Sequence, residues 1–280
     1  ELQDRVPVER RLSAIISPLT IGTDAAGMPE LLIVFRDVTD QEKLARMRAD
    51  FISNASHELR TPLASLKGFV ETLQGAASND EAARGRFLAM MATQAGRMTR
   101  LIDDLLLLSR AEMSVHLPPQ GIVDLSDVLE DVVETLDALA EASEVTLNYT
   151  PPGEAIEVRG ERDELVQAFV NLIQNAIKYG DPGGKVDVTF SWERSASGRR
   201  GRVVVSVADD GPGIAEEHLL RITERFYRVN VARSREKNGT GLGLAIVKYI
   251  VTRHRGELLI SSEVGKGSVF AVALDALGPR

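Results

Sequence analysis

The hydrophobic positions between Asp40 and Gly75 recur at spacings of three, four and seven residues, the pattern of a long amphipathic helix. The apolar residues that share this stripe are Ile52, Leu59, Leu63, Leu66, Val70 and Leu73. At roughly 100° per residue, His57 lies about 160–240° away from them, so we expect its imidazole to face solvent. Pro62 interrupts the pattern and predicts a bend one turn after His57.

A second amphipathic helix is predicted from Glu81 to Met113, after the short connection Gly75–Asp80. Its apolar seam has roughly heptad spacing and comprises Leu88, Met91, Ala95, Met98, Leu101, Leu105 and Leu108. The short connection makes the two helices an antiparallel hairpin. Because one hairpin leaves each seam half covered, the sequence predicts a homodimer through residues 40–113, with two hairpins forming a four-helix bundle.

The remaining chain divides into three segments. Two strand patterns, Arg11–Leu19 and Leu31–Val38, flank a turn-rich stretch, and two strands cannot bury a core alone, so we expect the last hairpin of a larger domain. Pro118 and Pro119 indicate a linker. Beyond it, helices are predicted at 125–142, 161–179 and 241–254, and strands at 145–149, 155–159, 185–192, 202–208, 257–262 and 268–274, which together are typical of an α/β sandwich.

Composition excludes several classes of function. The 280 residues suit about two domains, and a formal net charge of −8 argues against nucleic-acid binding. Cysteine is absent, so disulfides and thiolate metal sites are excluded, and the four histidines lack the spacing of a zinc site. No apolar run approaches the roughly 18 residues of a membrane helix, so we expect no membrane contact within these residues.

One predicted helix carries a polar face that suits a nucleotide. Asn171, Asn175 and Lys178 lie at positions i, i+4 and i+7, with Glu164 and Gln167 close to the same face. Asparagine is a mediocre helix former, so two on one face indicate use, and an amide oxygen can bind Mg²⁺. A merely solvated polar face explains the same residues, and taken alone it is the better explanation.

The segment from Asp209 to Gly213 follows the predicted strand Val203–Val207. A carboxylate at a strand end can accept a hydrogen bond from an exocyclic amine such as the adenine N6 group. Gly211 and Gly213 would let the backbone come close to a ligand. A tight turn that binds nothing is the alternative, and it accounts for the segment equally well.

A glycine-rich loop and a basic segment follow. Gly239–Leu244 opens the last predicted helix, and glycine backbone at a helix N-terminus favours anions, because unpaired N–H groups and the helix dipole point at the ligand. Its spacing matches neither the dinucleotide-binding fingerprint nor the P-loop. The basic segment Arg221–Asn238 is typical of a mobile lid over phosphates, or of a solvated charged loop.

In this order, the segments resemble the motifs of bacterial two-component sensor histidine kinases. The matching segments are Ser56–Pro62 for the H-box, Asn171–Tyr179 for the N-box, Asp209–Gly213 for the G1 box, Glu224–Arg228 for the F-box and Gly239–Leu244 for the G2 box. Phe35–Asp40 resembles the end of a PAS sensor domain. Within the family, the helical hairpin is most similar to the phosphate-regulon sensor branch.

The resemblance implies a multi-domain α and α+β fold. It comprises a dimeric helical hairpin followed by an α/β sandwich ATP-binding domain of the GHKL (Bergerat) type. The implied domains are a PAS-like remnant at 1–39, the dimerisation and phosphotransfer hairpin at 40–113, a linker at 114–123 and the catalytic domain at 124–275. The resemblance also implies the cytoplasmic portion of a protein anchored in the bacterial inner membrane.

The resemblance further assigns roles. His57 would accept the γ-phosphoryl group of ATP, Glu58 would orient the imidazole or take its proton, and Thr61 would help position water for dephosphorylation of the partner. Asn175 would ligate Mg²⁺. The implied ATP-binding residues are Asn171, Asn175, Lys178, Tyr179, Asp209, Gly211, Gly213, Arg228, Gly239, Thr240, Gly241, Leu242 and Gly243. The implied activity is an ATP-dependent protein-histidine kinase whose partner is the receiver domain of a response regulator.

Two positions depart from the family pattern, and two other functions stay open. Thr223 stands where the F-box usually has phenylalanine, which leaves the anchoring of the lid open, and Asn230 replaces an aspartate. Neither touches the residues expected to do the chemistry, so we expect an active kinase. A GHKL-type ATPase, such as an Hsp90-like chaperone or a topoisomerase subunit, would lack the His57 hairpin. A non-enzymatic dimeric scaffold would not need an intact nucleotide site.

Overall fold

The computed structural model describes residues 11–23, 29–75, 80–114, 118–193, 201–230 and 239–277. The chain forms two compact units, residues 1–58 and 59–280. In these described stretches, no helix is both long enough and apolar enough to cross a membrane.

Both strands predicted near the start are present and form an antiparallel hairpin. Strand β1 spans Leu12–Thr23 and β2 spans Pro29–Asp37. Ile15 and Phe35 are 61% and 65% exposed, as expected because two strands alone bury little apolar surface. The turn predicted between the strands lies mostly in residues 24–28, outside the described residues. Assignment of this hairpin to a PAS-like domain stays a prediction.

Helix α1 spans Thr39–Gln74 and continues through Pro62, close to the predicted bounds. Its first turn is held by side chains. The carboxylate of Asp37 accepts the N–H of Thr39 at 2.9 Å, and Arg11 pairs with Glu42 at 2.7 Å. Such a cap satisfies a donor that the helix itself leaves without an intrahelical acceptor.

Helix α2 spans Glu81–Ser114, again close to the predicted bounds. Asp80 precedes it and accepts the N–H of Ala83 at 2.8 Å, which caps its first turn. The second half of α1 packs against α2, where the rings of Phe69 and Phe87 lie 5.6 Å apart. The predicted helical hairpin is therefore present.

Each apolar seam of the hairpin is only partly covered in a single chain. On α2, Leu101 and Leu108 are buried, whereas Leu88 is 53% exposed. On α1, Leu63 is 57% exposed. Ile102, which lies outside the predicted seam, is exposed as well. An apolar strip of this length along a helical hairpin favours association with another surface.

The segment after the hairpin contains all the predicted elements. They are α3 Leu125–Ala142, β4 Thr146–Tyr149, β5 Glu157–Arg159, α4 Arg162–Tyr179, β6 Lys185–Glu193, β7 Arg202–Asp209, α6 Gly243–Arg253, β8 Glu257–Glu263 and β9 Gly267–Asp275. Two elements were not predicted, β3 Ile122–Asp124 and α5 Glu216–Leu219. With three and four residues, they are too short to show a hydrophobic period.

The main sheet has five strands in the order β4-β6-β7-β9-β8. Strand β4 is parallel to β6 and the other pairs are antiparallel, while β3 and β5 form a separate two-stranded sheet. Asp209, the last residue of β7, lies opposite Ser268 of β9 and Val186 of β6. The end of a central strand therefore places Asp209 at the edge of the core.

The core lies between the helices and one face of this sheet. Helix α4 contributes the buried face that the sequence predicts, with Leu165, Phe169 and Leu172 fully covered. In β6, Val186 and Val188 alternate with more exposed residues, as expected for a sheet with one buried face. The polar face of α4 is consequently turned away from the core.

A polar cluster joins the start of α4 to the end of α6. His254 is buried, its Nε2 accepts the backbone N–H of Glu161 at 3.0 Å, and its Nδ1 lies 2.8 Å from the carbonyl oxygen of Ile250. Because a backbone N–H can only donate, Nε2 must be unprotonated and Nδ1 must donate. Arg253 pairs with Glu164 of α4 beside this imidazole. Burial lowers the pKa of His254.

This cluster predicts a pH-dependent stability. Protonation of His254 would break its bond to Glu161, so the folded state binds this proton less readily than the unfolded chain, whose histidine titrates near pH 6.5. The contribution of His254 to the free energy of unfolding is therefore complete above about pH 6.5 and is lost as the pH falls below it. Urea unfolding, followed by Trp192 fluorescence and circular dichroism, measures this.

The matched variant is His254→Leu, which keeps the volume but leaves the Glu161 N–H and the Ile250 carbonyl unpaired. We expect it to lose about 1–3 kcal/mol at neutral pH. It should also lose the part of the pH dependence that begins near 6.5. An unchanged pH dependence in His254→Leu would contradict the assigned tautomer.

Candidate functional site

A cavity of about 480 Å³ opens beside the polar face of α4. Its walls come from α4, the end of β7, the segment before residue 230, the loop at the start of α6, and helix α2. Eleven of the thirteen residues expected to bind ATP line it, namely Asn171, Asn175, Lys178, Tyr179, Asp209, Gly213, Arg228, Gly239, Thr240, Gly241 and Gly243. These eleven residues come from four separate sequence segments, which thus meet at one site.

The asparagine face of α4 lies under the first residue of α6. A Cβ atom on Gly243 would lie 3.3 Å from Asn171 Oδ1, a tight contact, and 3.8 Å from Asn175 Nδ2, an ordinary van der Waals contact, so the first residue of α6 lies close to both amides. Asn171 Nδ2 is buried, and it has no hydrogen-bond partner among the described residues. A buried amide donor without an acceptor is costly, which suggests that a ligand supplies one.

Lys178 adds a cation at the end of this face. Its Nζ donates to Gln174 at 2.9 Å, and burial, together with the nearby Arg100 guanidinium, lowers its pKa. Gln167, expected near the same face, also lines the cavity. Glu164 does not, because its carboxylate pairs with Arg253.

The two adjacent aspartates after β7 have different roles. Asp209 lines the cavity, and its Oδ1 accepts the N–H of Gly211 at 3.0 Å. Burial raises the pKa of Asp209, opposed by this bond and by a backbone hydrogen bond from Ser268. Asp210 does not line the cavity, since its Oδ1 accepts the N–H of Lys185 at 2.9 Å.

The basic segment meets the glycine loop through the backbone. Phe226 N–H donates to Gly241 O at 2.7 Å, and a Cβ on Gly241 would lie only 2.9 Å from Phe226 Cα. Gly241 has a φ of +74° and Phe226 one of +63°, both in the left-handed region. Glycine at 241 is therefore required by conformation and by space.

Several contacts anchor the segment that precedes this meeting point. Tyr227 OH lies 2.8 Å from His218 Nδ1, and the Arg221 guanidinium lies 4.3 Å from the centre of the Tyr227 ring. Thr223, the departure from the family pattern, accepts from Lys248 Nζ on α6 at 3.3 Å. The first part of the basic segment is therefore anchored by the Thr223 hydroxyl and by the contacts of the Tyr227 ring. Residues 231–238 lie outside the described residues.

Two family models match the two modules of the chain. Residues 47–114 match the His Kinase A (phospho-acceptor) domain, and residues 160–277 match the histidine kinase-, DNA gyrase B- and HSP90-like ATPases. The chain belongs to the sensor histidine kinases.

Known sensor histidine kinases resemble the chain along most of its length. It is 40% identical to the phosphate regulon sensor protein PhoR of Pseudomonas aeruginosa over 246 residues, 87% of this chain and 54% of that protein. The Acinetobacter baumannii histidine kinase AdeS is 26% identical, with a TM-score of 0.58, over 79% of this chain and 98% of that one. Full-length ShkA in complex with AMPPNP is also 26% identical, with a TM-score of 0.57, over 81% of this chain and 46% of that one.

The chain spans about half the length of the curated relatives it matches, 54% of PhoR and 49% of the Synechocystis sensor histidine kinase RppB. The two family models match the hairpin and the ATPase-like domain. They therefore establish the family of this kinase segment.

Five predicted site residues of this histidine kinase do not line the cavity. His57 is exposed on α1, with Glu58 half-buried beside it, and both belong to the first compact unit. Thr61 is exposed one turn later. Gly211 lies behind the Asp209 carboxylate, and the side chain of Leu242 is buried in the core. The roles expected of these five residues stay predictions.

Helix α2 contributes cavity residues that were not predicted from the sequence. Arg97, Arg100 and Asp104 line the cavity, and burial raises the pKa of Asp104 to about 6. Their spacing of three and four residues puts them on one helical face, a signal present in the sequence. This spacing alone did not indicate a binding site, because a charged stripe on a hairpin helix is ordinarily a solvated surface.

The contact between Gly241 and Phe226 predicts a selective effect of one methyl group. Gly241→Ala should weaken binding of an ATP analogue at least about tenfold, because the glycine loop must move away from Phe226. Isothermal titration calorimetry provides the measurement.

Gly265→Ala is the matched control. Gly265 has a similar φ of +81°, but a Cβ there would meet no atom within 4 Å. Backbone strain is thus common to both variants and the clash is not. Equal loss of affinity in the two variants would show that strain, rather than the Phe226 contact, matters.

Proposed function

We propose that this chain is the catalytic part of an ATP-dependent protein-histidine kinase in two-component signalling. In this function His57 takes the γ-phosphoryl group from Mg-ATP held in the cavity and passes it to an aspartate of a response regulator. The observation that carries the proposal is the assembly of the asparagine face, Asp209 and the glycine loop around one cavity, in a chain that also presents an exposed histidine.

The cavity has groups that suit both the adenine and the phosphates of ATP. Asp209 would accept from the adenine amine, and the N-terminus of α6 at Gly243 would face the phosphates with its unpaired N–H groups and positive dipole. Lys178 and Arg228 add positive charge to the lining. The AMPPNP present in the ShkA structure, an ATP analogue on a related fold, supports this assignment.

The donor set suits Mg²⁺ held jointly with phosphate. The described residues contain no group of three or more His, Cys, Asp or Glu side chains that could hold a metal ion. Mg²⁺ commonly keeps several waters and takes oxygens from substrate phosphates, so one protein oxygen is enough. Asn175, which lines the cavity together with Asn171, would provide it through its amide oxygen.

The chemistry at His57 is a phosphoryl transfer to nitrogen. A neutral ring nitrogen attacks the γ-phosphorus, a P–N bond forms, and the P–O bond to ADP breaks. The proton on the other ring nitrogen then leaves to Glu58 or to water. An exposed imidazole on α1 suits this role, because two different partners must reach it in turn.

The hairpin accounts for the partners. We infer a homodimer through residues 40–113, because Leu63, Leu88 and Ile102 leave an apolar strip that a second hairpin would cover. The partner of the phosphorylated histidine would be a receiver domain. Thr61, exposed one turn after His57, would help position water for dephosphorylation of that receiver domain. The likeness to PhoR, a phosphate regulon sensor protein, supports a signal connected with phosphate. We also propose that the full-length protein is anchored in the inner membrane.

The kinase is tested by the label it leaves on the protein. Incubated with Mg²⁺ and γ-labelled ATP, the chain should acquire a label that is labile to acid and stable to base, as a phosphoramidate is. His57→Gln should abolish the label while retaining ATP affinity, because His57 is outside the cavity lining.

Other outcomes would identify the competing functions. Steady ATP turnover without protein label would indicate a chaperone-like ATPase. Neither turnover nor label would indicate a scaffold. Label that persists in His57→Gln would place the phosphoacceptor elsewhere.

The adjacent aspartates provide a test of the adenine contact. In Asp209→Asn the amide can still accept from Gly211 through oxygen, which turns its NH₂ group towards the adenine amine. Two donors then face each other, so ATP affinity should fall at least about tenfold. Asp210→Asn removes the same charge, but its oxygen still accepts from Lys185, so its affinity should stay near that of the unaltered chain. A competition titration with a fluorescent nucleotide measures both, and equal losses would contradict the assignment.

A further inference from the structure

Helix α2 of the hairpin reaches the glycine loop of the ATP-binding domain. Asp104 Oδ2 accepts a hydrogen bond from Thr240 Oγ1 at 3.1 Å, and α2 also contacts α6, the helix that this loop opens. Asp104 is half-buried in the wall of the cavity. The phosphate end of the proposed nucleotide site is therefore lined by a residue of another module.

The single proton of the Thr240 hydroxyl is already donated in this arrangement. The hydroxyl accepts the N–H of Leu242 at 3.3 Å and gives its only proton to Asp104. A hydroxyl has one proton to donate, so Thr240 cannot at the same time donate to a phosphate oxygen. Binding of a phosphate at this hydroxyl requires Asp104 to leave.

Electrostatics oppose simultaneous occupancy as well. Although burial raises the pKa of Asp104 to about 6, its carboxylate is mostly ionised at neutral pH. It faces the cations Arg100 and Lys178, which a nucleotide phosphate would also use. Two anions in the same partly dehydrated site repel each other more strongly than they would in water.

We propose that Asp104 acts as an internal competitor for the phosphates of the nucleotide, so that the glycine loop exchanges the Asp104 carboxylate for a phosphate when ATP binds. Asp104 is thereby a specificity-determining residue, because it opposes phosphorylated ligands and leaves adenosine unaffected. The exchange also releases α2 from the loop. The inference rests on the proposed nucleotide site and adds a residue from the hairpin to it.

The test compares ligands that differ only in their phosphates. Affinities of the full chain for Mg-ATP and for adenosine are measured by calorimetry, with the unaltered chain, Asp104→Asn and Asp103→Asn. Asp104→Asn should bind ATP about three- to tenfold more tightly, because Thr240 then donates to a neutral amide oxygen instead of a carboxylate, with adenosine affinity unchanged within about twofold.

Asp103→Asn is the matched control. Asp103 also lines the cavity, so this variant removes the same charge from the cavity wall, and the bond between Asp104 and Thr240 remains. The control should change ATP affinity clearly less than Asp104→Asn. Equal tightening by both variants, tightening of adenosine to the same extent, or weaker ATP binding in Asp104→Asn would each overturn the competition.

A second measurement needs no variant. Hydrogen exchange of peptides covering residues 97–108 should become faster when a non-hydrolysable Mg-ATP analogue saturates the chain, and should not change with adenosine. Slower or unchanged exchange with the analogue would overturn the release of α2.

Failure of the inference and failure of the proposed function are distinguishable. If the chain binds ATP and labels His57 but Asp104→Asn behaves like Asp103→Asn, only the competition fails. If the unaltered chain binds no nucleotide, both fail together.

Discussion

The nucleotide site depends on how closely α4 packs against α6. At one end the two helices are joined by the buried imidazole of His254 and by the pair between Glu164 and Arg253. At the other end Gly243 lies over the asparagine amides. Closely packed helices move little relative to each other. The polar cluster at one end therefore helps to fix the distance between Gly243 and the asparagine amides at the other end.

The remaining walls of the cavity follow from that packing. The central strand β7 ends at Asp209, so this cavity-lining carboxylate is placed by sheet register rather than by a flexible loop. The glycine loop, by contrast, contacts Phe226 through the backbone and Asp104 through the Thr240 hydroxyl. A site with one rigid side and one adaptable side suits a ligand whose base must be recognised and whose terminal phosphate must be delivered elsewhere.

Most of the secondary structure and several residues of the candidate site could be predicted from the sequence. The long helices, the strands of the sheet and the covered face of α4 follow from hydrophobic periods, and their bounds agreed with the structure to within a few residues. The helix face with Asn175 and the strand-end carboxylate of Asp209 also fit a solvated surface and an empty turn, and the resemblance to histidine kinases decided between these explanations. Strand β3 and helix α5 were missed because so few residues show no period.

The sequence by itself determined which residue types recur at helical or strand spacing, and hence which side of each element is polar. These are local properties, set by the geometry of a single helix or strand. Only the tertiary structure decided that Glu164 pairs with Arg253 and that Asp104, rather than Asp103, meets Thr240. The reason is physical: these contacts join elements far apart in the chain, and no local period encodes which of two neighbouring carboxylates will find a partner there.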